Sequence, residues 1–531
     1  GGGGGEVGGG EGGEREGGGG ARGRGAGGGS GGVSAERAAG VSGGHGQTSE
    51  SSGGGKLGVW ALAGVVVSSM IGGGIYSLPQ NMAAGASAGA VLLAWVITGI
   101  GIYLIVNTFS ILSMAKPELK TGIYSYSRAG FGSYAGFTIG WSYWLCQVFG
   151  NVSYAVITMD ALNYFFPPYF AGGNNLASII GGSVIIWGFN FMILRGVQQA
   201  SIINLIGTIL KIAPLILFII IMLVVFNSSK FDFDFWGESA DTVNRLGGLG
   251  TQIKSTMMVT LWSFIGIEGA VVMSDKAKDS KDIGPATFLG FISCLLIYAL
   301  LSLLPYGYMN QAELAAVSNP STAGILEAII GKEGAWIMNI GLLIAVLTSW
   351  LAWTIVTAQI PFAAAQNGTF PKGFTRENAA GSPSVSLWVT SLAMQLCMFL
   401  VYFASDAWST MLNITSVMVL PAYFMSCAYL WKLCTDGEYP QGLDVKRSSA
   451  LFTAVAGSVY ALWLIYAAGL KYFMLAIVIL ALGIPVFWLA RKQNAPQEAV
   501  FTKREKGLAV LFIIIALWSV YAFSHGLVTL N

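Results

Sequence analysis

The stretch MIGGGIYSLP, residues 70–79, lies in the middle of the first long apolar run of a 531-residue chain. In hydrocarbon a helix must satisfy its own backbone, because no solvent competes for those groups. Three consecutive glycines at mid-span (Gly72, Gly73 and Gly74) weaken the helix there and leave backbone N–H groups open to approach. Unwound backbone at membrane depth is tolerated where it lines a cavity or is buried in protein. The N-terminus of a half-helix at such a break holds an anion through free N–H groups and the helix dipole. Two readings follow: a carboxylate held at the bilayer midplane, or close helix packing through small residues.

Composition places the whole chain in the membrane class. Hydrophobic residues make up 54%, charged residues 10%, and the mean hydropathy is +0.64, values foreign to a soluble domain of this length. A net charge of +2 with no basic stripe argues against a nucleic-acid partner. The five cysteines, Cys146, Cys294, Cys397, Cys427 and Cys434, lie in or at the ends of apolar runs without ligand-like spacing, and read as packing residues rather than metal ligands. Residues 1–55 are different: 28 of them are glycine. Such a segment buries too little apolar surface to offset chain entropy, and it is expected to be a disordered tail.

A membrane-spanning helix needs about 20 apolar residues. Thirteen runs qualify: 57–82, 88–114, 132–162, 175–194, 201–226, 254–274, 284–308, 334–364, 386–404, 409–431, 450–468, 472–490 and 508–528. With the start of the first span inside, the inner loops carry seventeen Lys/Arg, among them Lys116, Lys120, Arg128, Arg195, Lys276, Lys278, Lys281, Lys372, Arg376, Lys446 and Arg447. The outer loops and adjoining span ends carry five: Lys230, Arg245, Lys254, Lys332 and Lys471. The positive-inside rule therefore puts the N-terminus in the cytoplasm.

The sixth run repeats the peculiarity of the first. It reads LWSFIGIEGA, residues 261–270, with two glycines and a carboxylic acid inside apolar sequence. Two interrupted helices five spans apart predict two five-helix halves of inverted topology, with a transport site between them. Glu268 is an ionisable group near the centre of a span, where a charge is costly and usually functional. It reads as a proton-binding or cation-sensing group, or as a neutral Glu bonded to a neighbouring helix. Lys211, about ten residues into the fifth span, reads as a substitute for a bound sodium ion, bridging carbonyls of the broken first helix, or as a snorkelling side chain. Asp160 sits near the outer end of the third span and reads as interfacial. Trp262 and Trp353 are candidates to stack on a planar cation, against the alternative of core filling. Tyr143 and Asn151, eight residues apart on the third span, lie on similar faces.

Four segments carry a family resemblance: SMIGGGIYSLPQNMA at 69–83, YSYSRAGFG at 124–132, WSFIGIEG at 262–269 and FAAAQNGTFP at 362–371. In this order, from about Lys56 to the end, the chain resembles the basic amino acid/polyamine antiporters of the amino acid–polyamine–organocation superfamily, most closely the arginine/ornithine antiporters. The resemblance implies an all-α polytopic membrane protein with a five-plus-five inverted repeat, broken helices 1 and 6, and about 13 transmembrane helices. It divides the chain into the tail at 1–55, a transport core of spans one to ten at 56–434, and additional spans at 435–531.

It also implies a site. The substrate carboxylate would meet the backbone of Gly72, Gly73 and Gly74, where related exchangers carry Gly-Ser-Gly, so backbone donors must suffice here. The α-amine would meet carbonyls of Met70, Trp262 and Ile265. Trp262 would form the aromatic lid, Trp353 would stack on the side-chain cation, Asn151 would supply a polar contact, and Tyr143 would lie at the gate. Glu268 matches an acidic position linked to proton sensing. Lys211 matches a lysine in a sodium-like position, which argues against sodium dependence. The implied activity is exchange of L-arginine for L-ornithine by alternating access, with no cofactor, in a bacterial plasma membrane; related exchangers form homodimers. A proton-coupled lysine/arginine permease is the alternative. A membrane-embedded enzyme is disfavoured, since the chain has two histidines, His45 and His525, and no paired carboxylates or metal-ligand cluster at membrane depth.

Overall fold

The computed structural model describes residues 58–119, 123–196, 201–268 and 282–529. The glycine-rich segment 1–55, Lys120, Gly269, Lys276, Lys278 and Lys281 lie outside the described residues. Among the described residues every regular element is helical. Each apolar run with few interruptions becomes a helix because only a helix satisfies its backbone without a neighbour.

The first run breaks. Helix α1 (Val59–Met70) ends at Ile71, whose ψ of 103° leaves the helical region, and Gly72 is extended. A 3-10 turn, Gly73–Ser77, then leads into α2 (Leu78–Ala83). The arms Val59–Ser68 and Gly73–Ala83 are bent by 63°. Next come α3 (Ala88–Ala115), the short α4 (Ile123–Phe131), α5 (Ser133–Phe165), α6 (Leu176–Leu194) and α7 (Ser201–Val225). Helix α8 (Leu249–Trp262) begins the sixth run and stops at Trp262 in a series of tight turns. There Gly266 has φ of +104°, a left-handed conformation that favours glycine.

The remainder comprises α9 (Ile283–Leu303), the non-spanning α10 (Ser321–Ile330), α11 (Lys332–Gln366), α12 (Ser384–Val401), α13 (Ala407–Thr435), α14 (Arg447–Ala468), α15 (Leu470–Leu482), α16 (Ile484–Asn494) and α17 (Lys503–Ser524). Helices α15 and α16 form one apolar span, Leu470–Asn494. Among the described residues eleven helices are long and apolar enough to cross a bilayer, and the bent first pair adds a twelfth if it counts as one span. The sixth run continues outside the described residues.

Helices α13 and α5 form the centre, with 72% and 67% of their apolar windows buried, whereas α17 has 22% and faces outward. Exposed Leu511, Ile514, Leu517 and Trp518 on α17 are what a lipid-facing helix presents. One face of the bundle gathers basic side chains. There Arg128 donates to the carbonyl of Asn367, Lys432 to that of Gly130, and Arg447 to that of Cys434. The opposite face is joined by Gln311 to the Ala83 carbonyl, Arg245 to Gln311 and Asn174 to the Val401 carbonyl.

Candidate functional site

The two helix breaks meet at one cavity. Its wall comes from the first break (Met70, Ile71, Gly72), the second (Trp262, Ile265), α5 (Gln147, Gly150, Asn151, Tyr154), α11 (Ser349, Trp353) and α13 (Thr415). The α5 residues fall at i, i+3, i+4 and i+7, one helical stripe. About 40 Å³ is open to the centre of a water molecule, enough for a few waters and far below the ~300 Å³ of a typical small-molecule site. Admitting an amino acid therefore requires the wall to move.

At the first break the 3-10 turn is closed by a bond from Ile75 N–H to the Gly72 carbonyl, 3.4 Å. The N–H groups of Gly73 and Gly74 precede that first bond and have no place in the turn's own ladder. The glycines are required for close approach. A Cβ on Gly73 would lie 1.9 Å from Val346 Cγ2, and one on Gly74 would lie 1.8 Å from Trp262 Cη2. Gly72 alone of the three lines the cavity, where a Cβ would stand 3.0 Å from the Tyr154 hydroxyl. Break and close packing, alternatives in the sequence, are both present in the fold.

Of the residues singled out from sequence, Met70, Gly72, Asn151, Trp262, Ile265 and Trp353 share this wall. The Met70 carbonyl already accepts from the Tyr298 hydroxyl at 3.2 Å, and the Trp262 carbonyl from Ile265 N–H at 3.2 Å. The Trp262 ring sits edge-on to Trp408, centroids 5.5 Å apart. Asn151 is engaged within the protein: its Nδ2 donates to the Gln147 carbonyl at 2.8 Å and to Thr357 Oγ1 at 2.9 Å.

Gly73, Gly74, Tyr143, Glu268 and Lys211 lie behind the wall. Glu268 is buried and accepts three bonds: from the Tyr143 hydroxyl at 2.7 Å, the Tyr423 hydroxyl at 2.8 Å and Gly266 N–H at 3.1 Å. The carboxyl is thereby tied to α5, to α13 and to the second break. Lys211 is equally buried, and its Nζ donates 2.7 Å to the Ser68 carbonyl near the end of α1. That carbonyl has lost its helical partner to the break, and the ammonium replaces it. Tyr76, beyond the break, donates in turn to the Lys211 carbonyl at 2.6 Å. Lysine thus links both arms of the broken helix to α7.

The sequence reading passed over Gln147, Gly150, Tyr154, Ser349 and Thr415 on the wall, and Tyr423 at Glu268. Gln147 Nε2 and Thr415 Oγ1 are buried and make no hydrogen bond within the protein, a costly state that a polar ligand would relieve. Gln147 had a signal: it is a polar residue one turn before Asn151 in an apolar helix. Thr415 and Tyr423 had none. No group of three or more His, Cys, Asp or Glu able to hold a metal occurs among the described residues.

Known proteins place this architecture. The family model described as amino acid permease matches residues 57–469. The arginine/agmatine antiporter of Chlamydia felis (strain Fe/C-56) is 58% identical over 469 residues, covering 88% of this chain and 96% of the relative. That of Chlamydia pneumoniae is 58% identical over 480 residues, covering 90% and 99%. That of Chlamydia trachomatis serovar D is 56% identical over 469 residues, covering 88% and 96%. Such similarity over nearly the full length of both proteins accompanies a bundle whose two breaks converge on a polar cavity. The chain belongs to the amino acid permease family, as a multi-pass membrane transporter of the basic amino acid antiporters rather than an enzyme.

Proposed function

We propose that this transporter exchanges L-arginine for agmatine, its decarboxylation product, across a bacterial plasma membrane. The observation that carries the reading is the cavity at the paired breaks, whose wall combines tryptophans and neutral polar groups and, among the described residues, contains no acidic side chain. The counter-substrate is taken from the relatives, which are named for arginine and agmatine.

The carboxylate end of arginine belongs at Gly72, beside the N–H groups that open the 3-10 turn. The guanidinium belongs over Trp353, where the indole face attracts a planar cation. Thr415 Oγ1 offers it an acceptor with no competing partner, and the Gln147 amide would receive it through its oxygen, since a guanidinium only donates. Along α5, Gln147 and Tyr154 are seven residues apart, about 10 Å of helix, a span suited to an extended arginine. Agmatine shares the guanidinium and lacks the carboxylate, so it would use the Trp353 end.

Alternating access would move α1 and the sixth run, and with them part of the cavity wall, in a five-plus-five inverted repeat over 56–434 with extra spans at 435–531. Glu268, tied to both α13 and the second break, is placed to link occupancy to that movement. The basic face of the bundle supports a cytoplasmic N-terminus. Ornithine, suggested by the sequence motifs, is the competing counter-substrate.

Labelled arginine uptake into proteoliposomes loaded with agmatine, ornithine or neither tests the assignment. Uptake driven by internal agmatine supports it. Uptake driven by ornithine alone moves the counter-substrate to ornithine. Equal uptake into empty vesicles under a proton gradient replaces exchange with the permease alternative.

A further inference from the structure

The described spans beyond residue 469 have no part in the cavity wall, yet they are fastened to α5, the helix that supplies the largest share of it. Tyr134, Phe137 and Trp141 lie at i, i+3 and i+7 of α5, on one face near its start. Tyr134 packs on Phe487 of α16 (centroids 5.0 Å apart), on Phe501 of the following turn (5.5 Å) and on Phe512 of α17 (6.4 Å). Phe137 packs on Phe487 at 5.4 Å and on Phe370, between α11 and α12, at 5.1 Å. Trp141 donates its indole N–H to the Ile479 carbonyl of α15 at 2.9 Å. Tyr134, Phe137, Phe370 and Phe487 are all fully buried, so this is a core.

Polar contacts tie the same pieces at the basic face. Asn494, ending α16, donates to the Phe370 carbonyl at 3.2 Å, and its neighbour Gln493 accepts from Lys372 N–H at 2.8 Å. Glu505 accepts from Tyr134 N–H at 3.3 Å while completing a capping box with Thr502 at the start of α17. One carboxylate thus serves two helix N-termini, where anions are stabilised. Arg128 of α4 donates to the Asn367 carbonyl at 2.8 Å and to Thr369 Oγ1 at 3.1 Å, fixing the end of α11. Apart from the Tyr143–Glu268 bond between α5 and the sixth run, the broken elements are held by other helices. Ser68 of α1 is held by Lys211 and Thr208 of α7, and α8 bonds Ser416 of α13 and Thr98 of α3.

We infer that α15–α17 is a brace that makes α4, α5 and the α11–α12 turn one rigid body. It rests on the alternating-access reading above: the cycle moves α1 and the sixth run against this body, and no movement occurs between the brace and α5. Packed interiors of this kind shift as units rather than deforming.

The test is a cross-link that should do nothing. The double variant Gln493→Cys with Lys372→Cys places two exposed thiols on either side of the brace contact. In proteoliposomes, joining them with a short bismaleimide is expected to leave arginine exchange at the rate of the unjoined variant. Arrest of exchange on joining, with the unjoined variant active, overturns the brace. Spin labels at the same two positions provide a readout independent of transport. One unchanged distance is expected with and without arginine or agmatine, while a pair between position 493 and exposed Trp60 of α1 shifts. A ligand-dependent 493–372 distance refutes the rigid body even if the exchange assignment stands. Absence of exchange in the wild type refutes the exchange assignment, and the label distances still decide the brace.

Discussion

Gly74→Ala adds a single methyl at a place where the structure leaves no room for it. The new Cβ would stand 1.8 Å from Cη2 of Trp262, about 1.7 Å short of ordinary carbon–carbon contact. The backbone of the 3-10 turn is held by buried neighbours, including Thr322 donating to the Tyr76 carbonyl at 2.8 Å. The indole must therefore yield. On one side it meets Trp408 edge-on at 5.5 Å, and on the other lies the cavity of about 40 Å³. The ring moves into the space the substrate needs. Overpacking of this kind costs roughly 1–3 kcal/mol. Since substrate binding must push the ring back, most of that cost falls on the bound state, an expected loss of about 5- to 150-fold in apparent arginine affinity.

Equilibrium arginine binding to purified protein, with melting temperature recorded in parallel, measures it. Gly64→Ala on α1 is the internal control. No atom lies within 4 Å of a Cβ there, so helix propensity alone operates and binding should be unchanged. Gly73→Ala clashes instead with Val346 Cγ2 at 1.9 Å, away from the cavity wall, and Val346→Ala should relieve it. Wild-type arginine affinity in Gly74→Ala would refute the placement of Trp262 over the first break.

Three further outcomes follow from particular contacts. Gln147→Ala removes the cavity-wall amide whose oxygen is proposed to accept from the guanidinium, so binding should weaken by about 1.5–3 kcal/mol, the range for a hydrogen bond to a charged group, with little change in melting temperature. Equal losses of binding and thermal stability would make Gln147 structural. Arginine carries one net positive charge and agmatine two, so arginine entry against agmatine exit moves one charge outward. An inside-negative potential should slow that exchange, opposing it by about 2.3 kcal/mol per 100 mV, whereas exchange against ornithine should be indifferent to voltage; uptake at clamped potentials separates them. In the loop between α7 and α8, partial burial alone would raise the Asp234 carboxyl, but bonds from the Thr242 and Ser239 hydroxyls and from the Ser239 and Glu238 backbone outweigh it and hold the carboxyl below its usual range. A group lowered in the folded state stabilises it above the unfolded value of about 3.9 and loses that contribution as pH falls through the folded value. Asp234→Asn should flatten the acid limb of a melting-temperature profile below about pH 4, and an unaltered limb would exclude Asp234 from it.

Much of this organisation was legible in the chain because the bilayer imposes local rules. A span must be long, apolar and helical by itself, so hydropathy located the helices without reference to neighbours. A break at membrane depth needs glycine, so residues 72–74 and the run through Gly266 marked both interruptions. Glu268 and Lys211 stand out in the sequence as ionisable groups within spans, but the sequence does not decide whether Lys211 snorkels to the surface or bridges the broken helix.

Tertiary structure decided what each of those residues touches. Nothing local distinguishes Tyr423 from nineteen other tyrosines, yet it lies 155 residues from the carboxylate it serves. Gly73 and Gly74 look equivalent to Gly72 in sequence but answer to Val346 and Trp262, because only the packed fold brings α11 and the second break against them. Asn151 looked like the polar contact of the third span. The fold gives its Nδ2 to Thr357 and to the Gln147 carbonyl and leaves the Gln147 side-chain Nε2, one turn away, without a partner. The hairpin after residue 469 reads as two more apolar spans. Its aromatic core with α5 exists only through pairings more than 100 residues apart, which helical periodicity does not encode. Local physics in the sequence set where the chain is helical and where it breaks; long-range packing alone chose the partners of each break, and with them the cavity.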